Sequence, residues 1–327
     1  MAHARTHCSA RPRTNLYERI TNRIIAELEA GRVPWVQPWE SAKAGIGMPY
    51  NAVSDRRYSG INVLTLWDAI VLRGFASHAF LTFRQAIALG GNVRRGEQGI
   101  GVIYTRRFIL REEQRRADME GREPSGGIPF LKWFTVFSVE QCEGLPEHIC
   151  EPPPPIPEGL ILPQAEALIA ATGADFRIGG PSAFYSPVHD YVQVPRPDVF
   201  HDPVNWHRTA FHELGHWVGG AARLNRDQSG VFGSVAYGKK ELVAELTASF
   251  VCAALGITPT VRHADYIGSW LEIIRGDDRA ILRAASAASK AADYLLAFRP
   301  ESAIAANDDD PDPDPDGSMA LEGKVAA

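Results

Sequence analysis

No run of apolar residues in the sequence is long enough to span a bilayer, and the first fifteen residues are basic and polar, without an apolar signal core. Cysteine is scarce as well. The four present, Cys8, Cys142, Cys150 and Cys252, form no C-x-x-C pair and no framework spacing. That excludes a disulfide-stapled secreted scaffold and fits a reducing cytoplasm, which is the expected location. Charge is not in excess: 22% charged and 45% hydrophobic residues over 327 positions describe an ordinary globular chain with room for two cores. The net charge of −5 is unevenly spread. Residues 1–120 carry 18 Lys and Arg against 11 Asp and Glu, whereas residues 299–327 carry 2 against 8. A basic front half suits a polyanionic partner, and no membrane partner is expected.

What is present begins with the stretch Phe211-His212-Glu213-Leu214-Gly215-His216-Trp217. It reads H-E-x-x-H, and on a helix residues four apart share a face, so His212 and His216 can grip one metal ion. Glu213 lies beside them, placed to accept a proton from a water at that metal. A catalytic zinc wants a third protein ligand. Lys239 to Val251 reads as a second buried helix carrying Glu241 and Glu245, and Glu241 follows His216 by 25 residues, room for a loop and a returning helix. Glu241 is the expected third ligand and Glu245 the carboxylate that orients a ligand histidine; spacing leaves the reverse assignment open. The metal is expected to be Zn²⁺, with Mn²⁺ possible.

Around this motif the chain divides at Glu151–Gly159, a run with five prolines that reads as a stiff linker. Residues 1–13 read as a disordered basic lead-in. Residues 14–150 read as an α+β domain. Its first helix starts at Thr14 or Asn15 with apolar positions Leu16, Ile20, Ile24, Ile25 and Leu28 at helical spacing. Further helices follow Tyr58–Asn62 and Thr82, and strands at Ile100–Tyr104 and Phe130–Val139 form a small antiparallel sheet around a long mobile loop at 109–127. Residues 160–298 open with a helix over Pro163–Thr172, then two strands, Phe176–Gly179 and Asp190–Pro195, joined by a turn. The motif helices follow, then an alanine-rich helix over Asp277–Phe298. Residues 299–327, with alternating Asp and Pro, read as a disordered acidic tail.

In the front domain, Val33-Pro34-Trp35-Val36-Gln37-Pro38-Trp39 offers two indoles spaced by prolines. They read equally as core plugs or as a rigid surface for stacking unpaired bases. Val93-Arg94-Arg95-Gly96-Glu97 is a basic turn before a strand, either a phosphate contact or a solvated hairpin.

Taken together, the two halves resemble the ArdC-type antirestriction proteins of plasmids and other mobile elements. The resemblance covers roughly residues 15–298. It rests on Val33-Pro34-Trp35, Tyr58-Ser59-Gly60-Ile61-Asn62, Thr82-Phe83-Arg84-Gln85-Ala86 and Val93-Arg94-Arg95-Gly96-Glu97 in the first half. In the second it rests on His212–Trp217, Arg223-Leu224-Asn225-Arg226 and Glu241–Leu246. It implies an α+β protein of two domains: an N-terminal α+β domain that binds single-stranded DNA and a C-terminal zincin-like metallopeptidase domain. It also implies protection of incoming DNA from host restriction, with His212, His216 and Glu241 as ligands and Glu213 as base. The DNA contacts would then fall to Arg56, Arg57, Arg94 and Arg95 with Trp35, Trp39 and Tyr58. The chain lacks the third histidine of H-E-x-x-H-x-x-G-x-x-H proteases, since Ala222 stands there. Hydrolysis of a protein substrate is chemically possible. The alternatives are a DNA-binding module with a structural metal, or a DNA-targeted protease effector unrelated to restriction.

Overall fold

The structure is a computed structural model and describes residues 16–36, 43–108, 111–122, 128–151, 158–231, 233–259 and 267–299. The expected basic lead-in, the Thr14/Asn15 cap, Trp39, the prolines at 152–155 and 157 and nearly all of the acidic tail lie outside the described residues. The front half runs α1 (Leu16–Glu29), β1 (Tyr50–Asn51), α2 (Ile61–Arg73), β2 (Ala79–Thr82), α3 (Phe83–Ala88), β3 (Asn92–Val93), β4 (Ile100–Phe108), α4 (Arg111–Glu120), β5 (Ile128–Ser138), β6 (Cys142–Glu143) and α5 (Glu147–Cys150). The back half runs α6 (Glu158–Ala171), β7 (Asp175–Ile178), β8 (Phe184–Ser186), β9 (Tyr191–Val194), α7 (Pro203–Val218), α8 (Val235–Ala254), α9 (Ile267–Gly276) and α10 (Ala280–Leu296). Two further single-turn 3-10 segments follow β5 and β9. No helix among the described residues is long and apolar enough to cross a membrane.

In the front half the sheet order is β1-β2-β5-β4. β2 and β5 are antiparallel, with Leu81 opposite Phe137, but β1 runs parallel to β2, so the sheet is mixed rather than purely antiparallel. Two residues of β1 are too few to show an orientation in sequence. α3 starts where Thr82 caps it: the hydroxyl accepts from Gln85 N–H at 3.2 Å and Gln85 Oε1 accepts from Thr82 N–H at 2.8 Å.

The segment expected as a mobile loop at 109–127 is corrected over Arg111–Glu120, which is helical. Its polar composition hid it, yet Arg, Glu, Gln and Met are good helix formers. Ala117 is fully buried, and Arg122 pairs with Glu113 at 2.8 Å and Glu120 at 2.6 Å. This helix belongs to a small compact unit within Ile103–Phe134, where Tyr104 and Phe134 meet edge to face at 5.2 Å.

The large unit lies within Met1–Val102 and Thr135–Ser302 and includes residues from both sides of the proline run. α1 packs on α9, and α2 on α10. Trp35 is fully buried and meets Trp270 of α9 edge to face at 5.4 Å; Trp67 of α2 meets Phe250 of α8 at 5.7 Å. Polar bonds join the same elements. Thr21 Oγ1 donates to Asp278 O at 2.6 Å, and Gly60 N–H, from a backbone at φ 61° that favours glycine, donates to Ser289 Oγ at 2.7 Å.

These contacts correct two expected DNA contacts. Trp35 is a core plug, and Tyr58, 5% exposed, faces Phe80 with ring centres 6.4 Å apart. Neither ring has a free face for a base. The aromatic–proline spacing around Trp35 does not distinguish the two roles, because a buried indole and a stacking indole need the same rigid backbone.

In the back half the sheet order is β7-β9-β8. β7 and β9 are parallel, and β8, where only a turn was expected, adds antiparallel to β9. Three residues between Pro181 and Pro187 are too short for alternation to be seen. The inner face, Val192 and Val194, is fully buried, and both β9 and β8 pack against α7.

Candidate metal centre

α7 begins at a well-formed cap: Asp202 Oδ1 accepts from Val204 N–H at 3.1 Å, and Pro203 takes the first helical position. Ala210, Phe211, Leu214 and Val218 are fully buried, so the helix is sunk into the core along its last two turns. α8 packs beside it, capped by Ser234 and buried through Leu242, Leu246 and Val251. Gly215 sets the approach of the two helices. A Cβ at this position would lie 3.3 Å from Ala244 Cα and from Thr247 Cβ, closer than most side chains tolerate. The residue between the two histidines is therefore a packing device, a role that the H-E-x-x-H pattern does not announce.

The close approach brings Glu241 and Glu245 of α8 onto the histidines. His212 Nε2 lies 3.3 Å from Glu241 Oε2 and 3.3 Å from His216 Nε2, and His216 Nε2 lies 3.4 Å from Glu241 Oε1. On the other side of the ring, His212 Nδ1 lies 3.3 Å from Glu245 Oε2. The geometry thus separates two carboxylates that spacing could not. Glu241 faces the nitrogens shared by both rings, and Glu245 faces only the outer nitrogen of His212. Glu213, 6% exposed, is buried with them.

The donor set fits a metal. Three atoms with lone pairs, two imidazole nitrogens and a carboxylate, converge within 4.8 Å of one another in a buried pocket, where unpaired negative charge is costly. Bonds of about 2.0–2.1 Å in a tetrahedral arrangement put ligand atoms ~3.3–3.4 Å apart, the separations found here. Burial works against charging His212, but the carboxylates of Glu241, Glu245 and Glu213 outweigh it and hold this histidine at about 10. Burial pushes His216 down, and the charge of His212 lowers it further. Burial would raise Glu241, but the two histidines overcome that and hold it well below the usual carboxylate range.

The loop after α7 adds side-chain donors to the carbonyls of the helix end. Arg226 donates to Gly215 O, Gln228 Nε2 to His216 O at 2.8 Å, and Arg223 Nε to Trp217 O at 2.6 Å. Arg223 also lies over the Trp217 ring at 4.0 Å and is paired with Asp190. In sequence, the signal for this role is two arginines following a glycine helix stop, a recognisable sign of a C-terminal cap.

Of the remaining DNA candidates, Arg56 and Arg57 follow β1, and Arg94 and Arg95 follow β3. Arg95 is exposed, and Arg94 is half-exposed, bonded to Glu97 at 2.8 Å and to Cys142 O at 3.2 Å. Arg56 is half-buried. Arg57 is more deeply set, and burial lowers its pKa.

This fold and site define a protein of two parts, the second a zincin-like domain. Residues 163–287 match the zincin-like metallopeptidase family, and residues 14–137 match the N-terminal domain of the anti-restriction factor ArdC. The metal-free crystal structure of antirestriction ArdC from plasmid R388 superposes with a TM-score of 0.72 at 36% identity, covering 87% of this chain and 98% of that one. Its Mn(II)-bound structure superposes equally well, with 88% and 99% covered. Protein y4eC of Sinorhizobium fredii (strain NBRC 101917 / NGR234) is 39% identical over 287 residues, 86% of this chain and 92% of its own. Two DNA primases TraC of Escherichia coli are 36% and 35% identical over 301 and 303 residues, but this chain spans only 27% and 20% of their length. The chain belongs to the ArdC antirestriction family.

Proposed function

We propose that this protein binds single-stranded DNA through its front half and carries a hydrolytic metal site in its zincin-like half, protecting incoming DNA of a mobile element from restriction. The convergence of His212, His216 and Glu241 at 3.3–3.4 Å carries the metal reading. These three residues hold the ion, and Glu245 fixes the His212 ring from its outer nitrogen. The nitrogen and oxygen donors suit Zn²⁺, and the Mn(II)-bound ArdC relative favours admitting Mn²⁺. When bound, the metal supplies Lewis acidity, making a water more acidic and polarising a carbonyl. Glu213 takes the proton of the attacking water and delivers it to the leaving amine of a protein substrate. The DNA reading rests on the basic balance of the front half and on Arg56, Arg94 and Arg95, which suit phosphates.

Transfer of DNA into a restricting host tests the whole reading. Wild type is compared with Glu213→Ala and with Arg94→Ala/Arg95→Ala, all checked for fold and metal content. Protection is expected to fall in both. If Glu213→Ala protects fully while the arginine variant fails, protection comes from covering DNA and the hydrolytic part of the reading is wrong.

Metal binding is also expected to release a proton. His212 is held protonated at neutral pH when the site is metal-free, and a ligand imidazole must be neutral. Affinity for Zn²⁺ or Mn²⁺ should therefore rise with pH from neutrality until His212 loses its proton near 10. Calorimetric titration at pH ~7 in buffers of different ionisation enthalpy should give about one proton released per ion. Equal heats in all buffers would contradict the assignment of His212 as a ligand.

A further inference from the structure

Burial of Trp35 and Tyr58 removes two of the expected stacking rings, yet the same half leaves other large apolar side chains uncovered. Phe83 is 49% exposed and Ile87 50%, and these two stand one turn apart on α3, so they share a face. Val53, 44% exposed, stands on the turn after β1.

Turn and helix are fastened together. The side-chain amides of Asn51 and Gln85 bond reciprocally, Asn51 Nδ2 to Gln85 Oε1 at 3.2 Å and Gln85 Nε2 to Asn51 Oδ1 at 3.3 Å. Asn51 Oδ1 also accepts from the N–H groups of Val53 and Ser54, each at 3.1 Å, while Gln85 closes the capping box of α3. Two amides thus hold an exposed apolar step rigid from both sides. Besides starting α3, this bonding lowers the ordering cost of binding at the step.

The surroundings carry an excess of positive charge, although Asp55 lies beside Arg56 and Glu97 pairs with Arg94. Arg84 is exposed beside Phe83, Arg56 ends the turn, and Arg94 and Arg95 follow β3, against which α3 packs. Between residues 43 and 102 there are seven Lys and Arg against three Asp and Glu. An apolar ring among arginines fits a ligand that offers π faces along a chain of phosphates.

We propose that Phe83 is a base-stacking residue for single-stranded DNA, held on a platform of α3 and the Asn51–Ser54 turn, with Arg84 meeting an adjacent phosphate. This rests on the DNA reading above and assigns it to a surface.

The test is fluorescence anisotropy of a labelled oligothymidylate and of an abasic strand of equal length, with the full chain. Phe83→Ala should lose roughly 5- to 150-fold on the thymidine strand and nothing on the abasic one. Phe83→Trp should bind as wild type does. Arg84→Gln should weaken both strands alike and reduce the salt slope by about one. If Phe83→Ala binds the thymidine strand like wild type, the platform is overturned while the DNA reading stands. A wild-type protein that binds neither strand removes the DNA reading and the platform with it. A change of oligomeric state at unchanged DNA affinity would make the patch a protein contact and overturn the proposal.

Discussion

Glu213→Gln is expected to abolish hydrolysis of a fluorophore-labelled unfolded protein, by about 10²–10⁴-fold, while leaving metal content and folding unchanged. The substitution keeps the shape of a side chain that is only 6% exposed and removes its capacity to accept a proton. Glu213 is not one of the three converging donors, so the ion stays in place. Elemental analysis of the purified variant beside a rate measurement separates the two effects. Retained hydrolysis would exclude Glu213 as the base. Loss of hydrolysis together with the ion would mean that the carboxylate supports the metal rather than the reaction. Glu241→Gln should behave in that second way, because Glu241 lies within 3.4 Å of both ligand nitrogens.

Trp35→Ala is expected to be strongly destabilising, at about 3–5 kcal/mol. Its indole is fully buried and meets Trp270 edge to face, so truncation leaves a cavity in the core. The melting temperature should drop by roughly 10 °C. Affinity of the folded variant for single-stranded DNA should match wild type, since the ring has no exposed face. An unchanged melting temperature with weakened DNA binding would restore Trp35 as a stacking residue. The contrast with Phe83→Ala is direct: one aromatic should change stability without affinity, the other affinity without stability.

Much of the candidate site was legible because its parts are local. His212, Glu213 and His216 sit on one helix, where spacing alone decides which side chains share a face. Glu241 and Glu245 were legible as a pair, because carboxylates four apart in an otherwise apolar helix call for a positive partner. Their separate roles were not. Which one reaches the shared nitrogens depends on how α8 is rotated and how near it comes to α7, and Gly215 sets that approach. The front half was less legible. The arginine-rich helix α4 hides in a polar stretch whose hydrophobic periodicity is weak, and the short strands β1 and β8 hold too few residues to alternate.

What the sequence determined by itself is whatever repeats within a single element: the apolar spacing of α1, the helix start at Thr82, and the H-E-x-x-H helix that puts His212 and His216 on one face. Tertiary structure decided which aromatics are buried and which are offered to solvent. Trp35 and Phe83 are both large rings in family motifs, and only the packing of α1 and α9 on one side, and the absence of a covering element over α3 among the described residues on the other, tells them apart. The physical reason is that burial is a property of the neighbours a side chain meets across the fold, and those neighbours lie too far away in sequence for local spacing to name them.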